Sequence, residues 1–431
     1  MYHCHIREHE QLGMMGRYVA AEPADTRRPL ECPKLAFEIA GTSERRTGDQ
    51  SARVQQLQSL LISSTDRTNM TDKSFAKIFP IRKQSRSQLS SILILAVFSF
   101  ALAACSSVDI DDRHLQPLTA KLVAQMNEKG MTPSDPILIR IYKRESELEI
   151  WKRDRSGQYA LLKTYPMCRW SGRLGPKKRE GDRQAPEGFY TVTPAQMNPQ
   201  SQYYLSFNLG YPNELEKALG YQGSALMVHG ACTSSGCFAL TDNGVGEIYA
   251  LAREAFSAGQ TSFQVQALPF RMTPQNLALF RNDPNFQFWL NLKEGADQFD
   301  VTRQPPTIAA CGRRYVFGAR TKDPSSAFDP LAPCPAYEVE PSLNSLVAEK
   351  RTRDDERVAQ IAAASPPVPM SYADGGMHTS FRKMLKDIGP DRFSKMTSRN
   401  AEVSRPDAAL ADPYMPGQAD LAEATGSITR H

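Results

Sequence analysis

Apolar residues recur in short runs broken by turn residues only between Ser134 and Phe317, which confines any packed core to the middle of the chain. Ile137-Leu138-Ile139-Arg140-Ile141-Tyr142 and Glu147-Leu148-Glu149-Ile150-Trp151 predict a hairpin across Lys143 to Ser146, with Tyr159 to Thr164 as a third strand. Gly188 to Thr193, Tyr203 to Phe207, Leu226 to His229 and Phe263 to Ala267 read as further strands. Asp242 is placed to cap a helix through about Ser257, with Ile248, Leu251, Ala252 and Phe256 on one face. Thr273 to Arg281 and Phe286 to Lys293 read as two more helices. The expected fold class is mostly β with helical additions, a β-sandwich-like domain over residues 134–317.

The flanks read differently. Residues 1–69 are polar and rich in arginine, and residues 70–104 hold a basic stretch before the apolar run Ile92 to Ala104. That run is short of the ~20 residues a membrane span needs and fits a signal-peptide core. It ends Leu102-Ala103-Ala104-Cys105-Ser106, which resembles a bacterial lipobox, so cleavage before Cys105 and acylation of its sulfur are expected; a single uncleaved anchor is the alternative. Ser106 after the cysteine favours the outer membrane. Translation starting near Met70 would account for residues 1–69 as a mis-assigned extension. The His3-Cys4-His5 and His9 cluster within it is read as coincidence rather than a metal site.

Residues 105–133 are expected to be a linker with a short helix. Residues 318–431 read as a largely disordered tail or spacer, with helical candidates at Ser342 to Ala364 and Thr379 to Lys386. A net charge of +5 over 431 residues is mild, and no nucleic-acid motif accompanies it, so a nucleic-acid partner is not expected.

The chemistry concentrates in Leu226-Met227-Val228-His229-Gly230-Ala231-Cys232-Thr233-Ser234-Ser235-Gly236-Cys237. A thiol with its usual pKa of ~8.5 is mostly protonated at neutrality, and an imidazole nearby can take its proton. The small residues before Cys237 predict a tight turn able to aim backbone N–H groups at an oxyanion. Three other readings of the residues stay open: a zinc site built on His229, Cys232 and Cys237, a disulfide through Cys237, or a buried inert thiol.

These residues, with Trp170-Ser171-Gly172, Ala185-Pro186-Glu187-Gly188-Phe189-Tyr190, Asn198-Pro199 and Tyr203-Tyr204, resemble the L,D-transpeptidase (YkuD-type) family, and more closely its YafK-like murein branch. The resemblance spans about Ser134 to Phe317 and implies the same mostly β fold. It implies Cys237 as nucleophile, His229 as base, Gly230 orienting the ring through its carbonyl, and oxyanion N–H groups from Ser235, Gly236 and Cys237. It implies no metal and no cofactor, and peptidoglycan stem peptides as substrate.

Two positions depart from the broad family pattern, which has histidine at Ser235 and often a basic residue at Ala239. The YafK-like branch shares such departures and includes enzymes that look like hydrolases releasing proteins from murein. Cross-linking, attachment or release of a murein-linked outer-membrane protein, and murein binding without turnover are therefore all expectations.

Arg173, Lys177, Lys178, Arg179 and Arg183 form a basic loop, from which Arg173, Lys177 and Arg183 are expected to meet substrate carboxylates unless the run is merely a solvated surface. Of Tyr203 and Tyr204 at most one is expected to line the cleft, since neighbours on a strand face opposite ways, and the expectation falls on Tyr204. Beyond Cys105 five cysteines remain, an odd number that leaves Cys237 free; the family likeness suggests Cys168 with Cys232, and Cys311 with Cys334 is a weaker pair.

Overall fold

The structure is a computed structural model that describes residues 112–366, 374–398 and 401–410. The expectations for residues 1–69, for the apolar run and for Cys105 lie outside the described residues.

The strands are β1 (Ile137–Tyr142), β2 (Glu147–Arg153), β3 (Tyr159–Pro166), β4 (Arg169–Trp170), β5 (Gly188–Val192), β6 (Met197–Asn198), β7 (Ser206–Asn208), β8 (Met227–His229), β9 (Phe238–Ala239) and β10 (Phe263–Leu268). Two small hairpins follow, β11 (Ile308–Cys311) with β12 (Arg314–Phe317) and β13 (Ala319–Thr321) with β14 (Tyr337–Val339). The helices are α1 (Ala120–Glu128), α2 (Glu214–Ala218), α3 (Asp242–Ser257), α4 (Pro274–Leu279), α5 (Phe286–Thr302), α6 (Pro341–Ala364), α7 (Thr379–Thr397) and α8 (Pro406–Leu410). None of the described helices is long and apolar enough to cross a membrane.

Five strands in the order β3-β2-β1-β10-β5 make one sheet, and β4-β9-β8-β7-β6 make the other. The fold is mostly β with helical additions, as the patterning predicts. All six residues of β1 are buried, because β1 lies inside its sheet between β2 and a parallel β10. One continuous core joins both sheets, and Trp170, Tyr190, Phe207, Phe238, Phe263 and Trp289 are among its fully buried side chains.

Two buried charges brace the loop between β4 and β5. Lys143 Nζ donates to Glu187 at 2.9 Å and to the carbonyls of Arg173 and Ala185 at 2.6 and 2.8 Å, and both side chains are fully buried. Glu187 also accepts from the Trp289 indole at 2.8 Å and from the Gly175 amide at 2.7 Å. Burial pushes the Lys143 pKa down and the Glu187 carboxylate pulls it back.

Three details differ from the sequence expectation. The cap of α3 is Thr241, whose side chain accepts from the Gly244 amide. Tyr203 to Leu205 do not join β7, and Tyr204 sits at φ 69°, which breaks strand alternation there. The third concerns residues 318–431, for which a spacer is expected. Instead α6 is tied to α5 by Lys350–Asp297 at 2.8 Å and Lys293–Asp354 at 2.6 Å, and Phe381, Leu385 and Phe393 of α7 are buried. The described part of this stretch is folded onto the domain.

Both suggested disulfides are present, Cys168–Cys232 and Cys311–Cys334. The first closes a loop of 64 residues and ties the residue before β4 to the arc that precedes Cys237. Replacing both Cys168 and Cys232 by serine is expected to cost ~2–5 kcal/mol of stability. Chemical denaturation of the double variant checks this, and a loss well under 1 kcal/mol would count against a bracing role.

Candidate active site

His229 ends β8 and Cys237 immediately precedes β9, and the strands pair in parallel with Val228 opposite Phe238 and His229 opposite Ala239. Residues 230–237 make the whole connection between the strands, with 230–236 lying between His229 and Cys237. Parallel neighbours usually need a longer crossover, so this arc is tight.

His229 is 2% exposed. Its Nδ1 is held by the Gly230 carbonyl oxygen, which fixes the proton on that side and leaves Nε2 as the acceptor. The Tyr203 ring stacks on the imidazole, with centroids 4.7 Å and planes 29° apart. A side chain at Gly230 would meet the Tyr203 carbonyl and the Asp242 carboxylate, each 2.8 Å from its Cβ, so the close approach requires glycine. Asp242 accepts from the Ala231 amide at 3.0 Å and so pins the first residues of the arc. Burial pulls the His229 pKa down to about 4, against the opposing pull of the Gly230 carbonyl.

Cys237 is partly exposed and is the free cysteine of the described residues. The Met227 amide donates to its Sγ at 3.5 Å, and Sγ lies 3.9 Å from the Ala225 carbonyl oxygen. Burial pushes the thiol pKa up, while the Met227 N–H and the charge of Lys177 pull it down. The imidazole and the thiol therefore both rest neutral, which suits proton removal during attack rather than a preformed ion pair.

A pH dependence follows from the two shifts. The lowered imidazole pKa keeps His229 unprotonated above about 4, and the raised thiol pKa keeps thiolate scarce at neutrality. Iodoacetamide should therefore label Cys237 at a rate that climbs with pH past about 9 and shows no plateau at neutrality. A plateau beginning below pH ~7 would reveal a thiolate–imidazolium pair instead.

The turn before Cys237 is internally bonded. Ser234 Oγ donates to the Cys237 carbonyl at 2.8 Å, accepts from the Gly236 amide at 3.3 Å and lies 3.0 Å from Ser171 Oγ. The Gly236 N–H is thus directed inward, which corrects its expected place as an oxyanion donor. The Ser235 and Cys237 amides remain the candidates for that task.

The expected substrate contacts fare unequally. Lys177 is buried, and its ammonium is bound by Asp182 and the Arg179 carbonyl, so it acts on the site as an internal charge rather than as an open anchor. Arg183 is paired with Asp374 at 3.3 Å and donates to Ser235 Oγ at 3.0 Å and to the Ser234 carbonyl at 3.2 Å. Arg173 is exposed. Tyr204 turns toward α3, within 3.5 Å of where a Gly246 side chain would begin, and its neighbour Tyr203 is the one at the imidazole. The zinc alternative loses a ligand, since Cys232 is bonded to Cys168.

A short parallel arc thus carries a buried imidazole at one end and a free thiol at the other, the residue types of a nucleophile and a base. Residues 136–262 match the family model of the L,D-transpeptidase catalytic domain, YkuD. Over 188 residues the chain is 44% identical to YafK of Escherichia coli K12 and of Escherichia coli O157:H7, a protein whose naming as an L,D-transpeptidase is provisional. The match covers 44% of this chain and 76% of the relative. The chain belongs to the L,D-transpeptidase family, in its YafK-like branch, a family that acts on peptidoglycan stem peptides. Among solved structures, the helical cell shape determining protein Pgp2 from Campylobacter jejuni aligns at 19% identity over 44% of this chain and 64% of its own, with a TM-score of 0.26. So slight an overlap carries no argument.

Proposed function

We propose that the chain is a lipid-anchored cell-envelope enzyme in which Cys237 acylates on a peptidoglycan stem peptide and His229 moves the proton. The observation that carries it is the fixed tautomer of His229: the Gly230 carbonyl occupies Nδ1, so Nε2 is the basic nitrogen. As sulfur attacks the carbonyl of an L-centre to D-centre bond, a C–S bond forms and the thiol proton passes to Nε2. Collapse of the tetrahedral oxyanion breaks the C–N bond, and the imidazolium returns its proton to the leaving amine. A side-chain amine of meso-diaminopimelate, or water, then attacks the thioester, and the thiol is regenerated.

Amine attack is transpeptidation, including attachment of a protein to murein; water attack is hydrolysis that releases one. Hydrolysis is favoured by one observation. Lys177 is committed to Asp182, and position 239, basic in much of the family, is a fully buried alanine, so neither position offers a cation to an acceptor carboxylate.

Muropeptide analysis of the purified mature protein, with and without a murein-linked protein as substrate, tests the proposal. New cross-links, new attachment or release support it; an unchanged profile together with no carbapenem adduct on Cys237 leaves only a binding module. Anchoring through Cys105 is supported by the lipobox residues Leu102 to Ser106. Palmitate labelling checks it in cells, and a Cys105→Ser chain that still takes label sinks it.

A further inference from the structure

The stretch from residue 374 onward lies beyond the 136–262 segment matched by the family model, yet it bonds directly to the loop that carries the thiol. We propose that this C-terminal segment, through Asp374, Ser398 and Ser404, is a positioning clamp that sets the backbone of the loop before Cys237 for reaction. The inference rests on the reading of Cys237 as nucleophile and extends it to residues that touch neither substrate nor thiol.

Two amides of the loop are fixed by serines from this segment. The Cys232 N–H donates to Ser398 Oγ at 3.0 Å and the Ser234 N–H to Ser404 Oγ at 3.0 Å, with Ser404 Oγ also 3.5 Å from the Ser234 carbonyl. A fixed N–H fixes the plane of its peptide, and therefore the direction of the carbonyl before it. Pinning alternate peptides at 232 and 234 leaves the turn into Cys237 little freedom to rotate.

A charge cluster grips the same loop from the other side. Asp374 accepts from Arg405 at 2.7 Å and from Arg183 at 3.3 Å, and its other oxygen takes the Gly172 amide at 3.0 Å. Buried Arg169 stands 3.8 Å away as a third cation. Arg183 then carries the contact forward to Ser235 Oγ and the Ser234 carbonyl. Charged hydrogen bonds of this kind are the stronger and more directional ones. The carboxyl of Asp374 is held below its usual range by the Gly172 amide and these arginines, against the opposing cost of burial.

The segment is itself anchored to the sheet. Trp170 and Gly376 exchange both backbone hydrogen bonds at 3.1 Å, extending the sheet beside β4. At Gly375, φ is +70° and an added Cβ would stand 1.8 Å from the Trp170 carbonyl, so the crossing admits only glycine. Met377, Phe381, Leu385, Phe393 and Val403 share one buried apolar cluster with Cys168 and Cys232. Side-chain and backbone bonds from the segment thus reach Cys232, Ser234 and, through Arg183, Ser235, three of the five residues that precede the thiol.

The test uses the mature chain with Asp374→Asn and, separately, Ser404→Ala, each checked for wild-type melting. In both, kcat for muropeptide turnover should fall about tenfold with KM within about twofold, since positioning is needed in the transition state more than in binding. Iodoacetamide labelling of Cys237 should rise at least about twofold as the loop loosens, a change that lost stability alone would not produce in a folded variant. A kcat within about twofold of wild type in both variants overturns the clamp. So does a raised KM at unchanged kcat, which would make Arg183 a substrate anchor. If wild-type protein turns over no muropeptide, the functional reading fails while the labelling rate still judges the clamp; an unchanged rate in both variants overturns it.

Discussion

Cys237→Ala is expected to leave less than ~1/1000 of wild-type turnover, because removing a covalent nucleophile removes the acyl intermediate itself. The effect should fall on kcat, with muropeptide binding retained, since Cys237 is one partly exposed side chain at the edge of the core. Melting should stay within ~1 kcal/mol of wild type, as for a surface-edge change that leaves no large cavity. Cys237→Ser is the sharper comparison. Its hydroxyl keeps the shape but is far harder to deprotonate, and the His229 base, with a pKa of about 4, is too weak to compensate. Residual turnover in either variant above one tenth of wild type would move the nucleophile elsewhere.

Lys143→Met should destabilise the fold by ~3–5 kcal/mol, the penalty for leaving one member of a buried ion pair without its partner. Glu187 would keep its bonds from the Trp289 indole and the Gly175 amide but would lose its buried ion pair with Lys143. The carbonyls of Arg173, Gly175 and Ala185 would lose a donor at the same time, loosening the loop that leads to Arg183. The double variant Lys143→Met with Glu187→Leu should recover only the part due to the lone buried charge, since the carbonyls that Lys143 served and the Trp289 and Gly175 N–H groups still lose their partners. Thermal melting of the three proteins decides this; a single variant within ~1 kcal/mol of wild type refutes the bracing role.

Much of the catalytic domain was legible because its signals are local. The hairpin of β1 and β2 and the span of α3 follow from apolar period, and the family resemblance brought His229, Gly230 and Cys237 together before any coordinates did. The pairing of Cys168 with Cys232 came from that resemblance too. What escaped depended on interactions that leave no periodic trace. Tyr203 rather than Tyr204 faces the imidazole because φ at Tyr204 is positive, and a parity argument assumes extended backbone throughout. Asp242 has the composition of a cap, yet Thr241 caps the helix and Asp242 turns to the Ala231 amide.

The helices expected at Ser342 to Ala364 and Thr379 to Lys386 are present as α6 and α7, but their docking on the domain escaped for a related reason. Helix α6 has no buried residue, so it shows no apolar stripe; its hold on α5 is the set of Lys293, Asp297, Lys350 and Asp354. Charge pairs across helices look like ordinary surface charge in a sequence. The apolar contacts of α7 are few, and the helix is broken at Gly389 and Pro390, which shortens each periodic window.

The parallel pairing of β8 with β9 has one more consequence, for what kinds of change the chain can absorb. Seven residues join His229 to Cys237, and strand pairing fixes both ends of that span. One inserted residue adds a step of ~3.8 Å between successive Cα atoms. Because strand pairing holds His229 and Cys237 where they stand, an inserted residue has to be taken up within the 230–236 arc, and its cost falls on the backbone leading into the thiol, whose amides Asp242, Ser398 and Ser404 hold, rather than on the spacing of the two side chains.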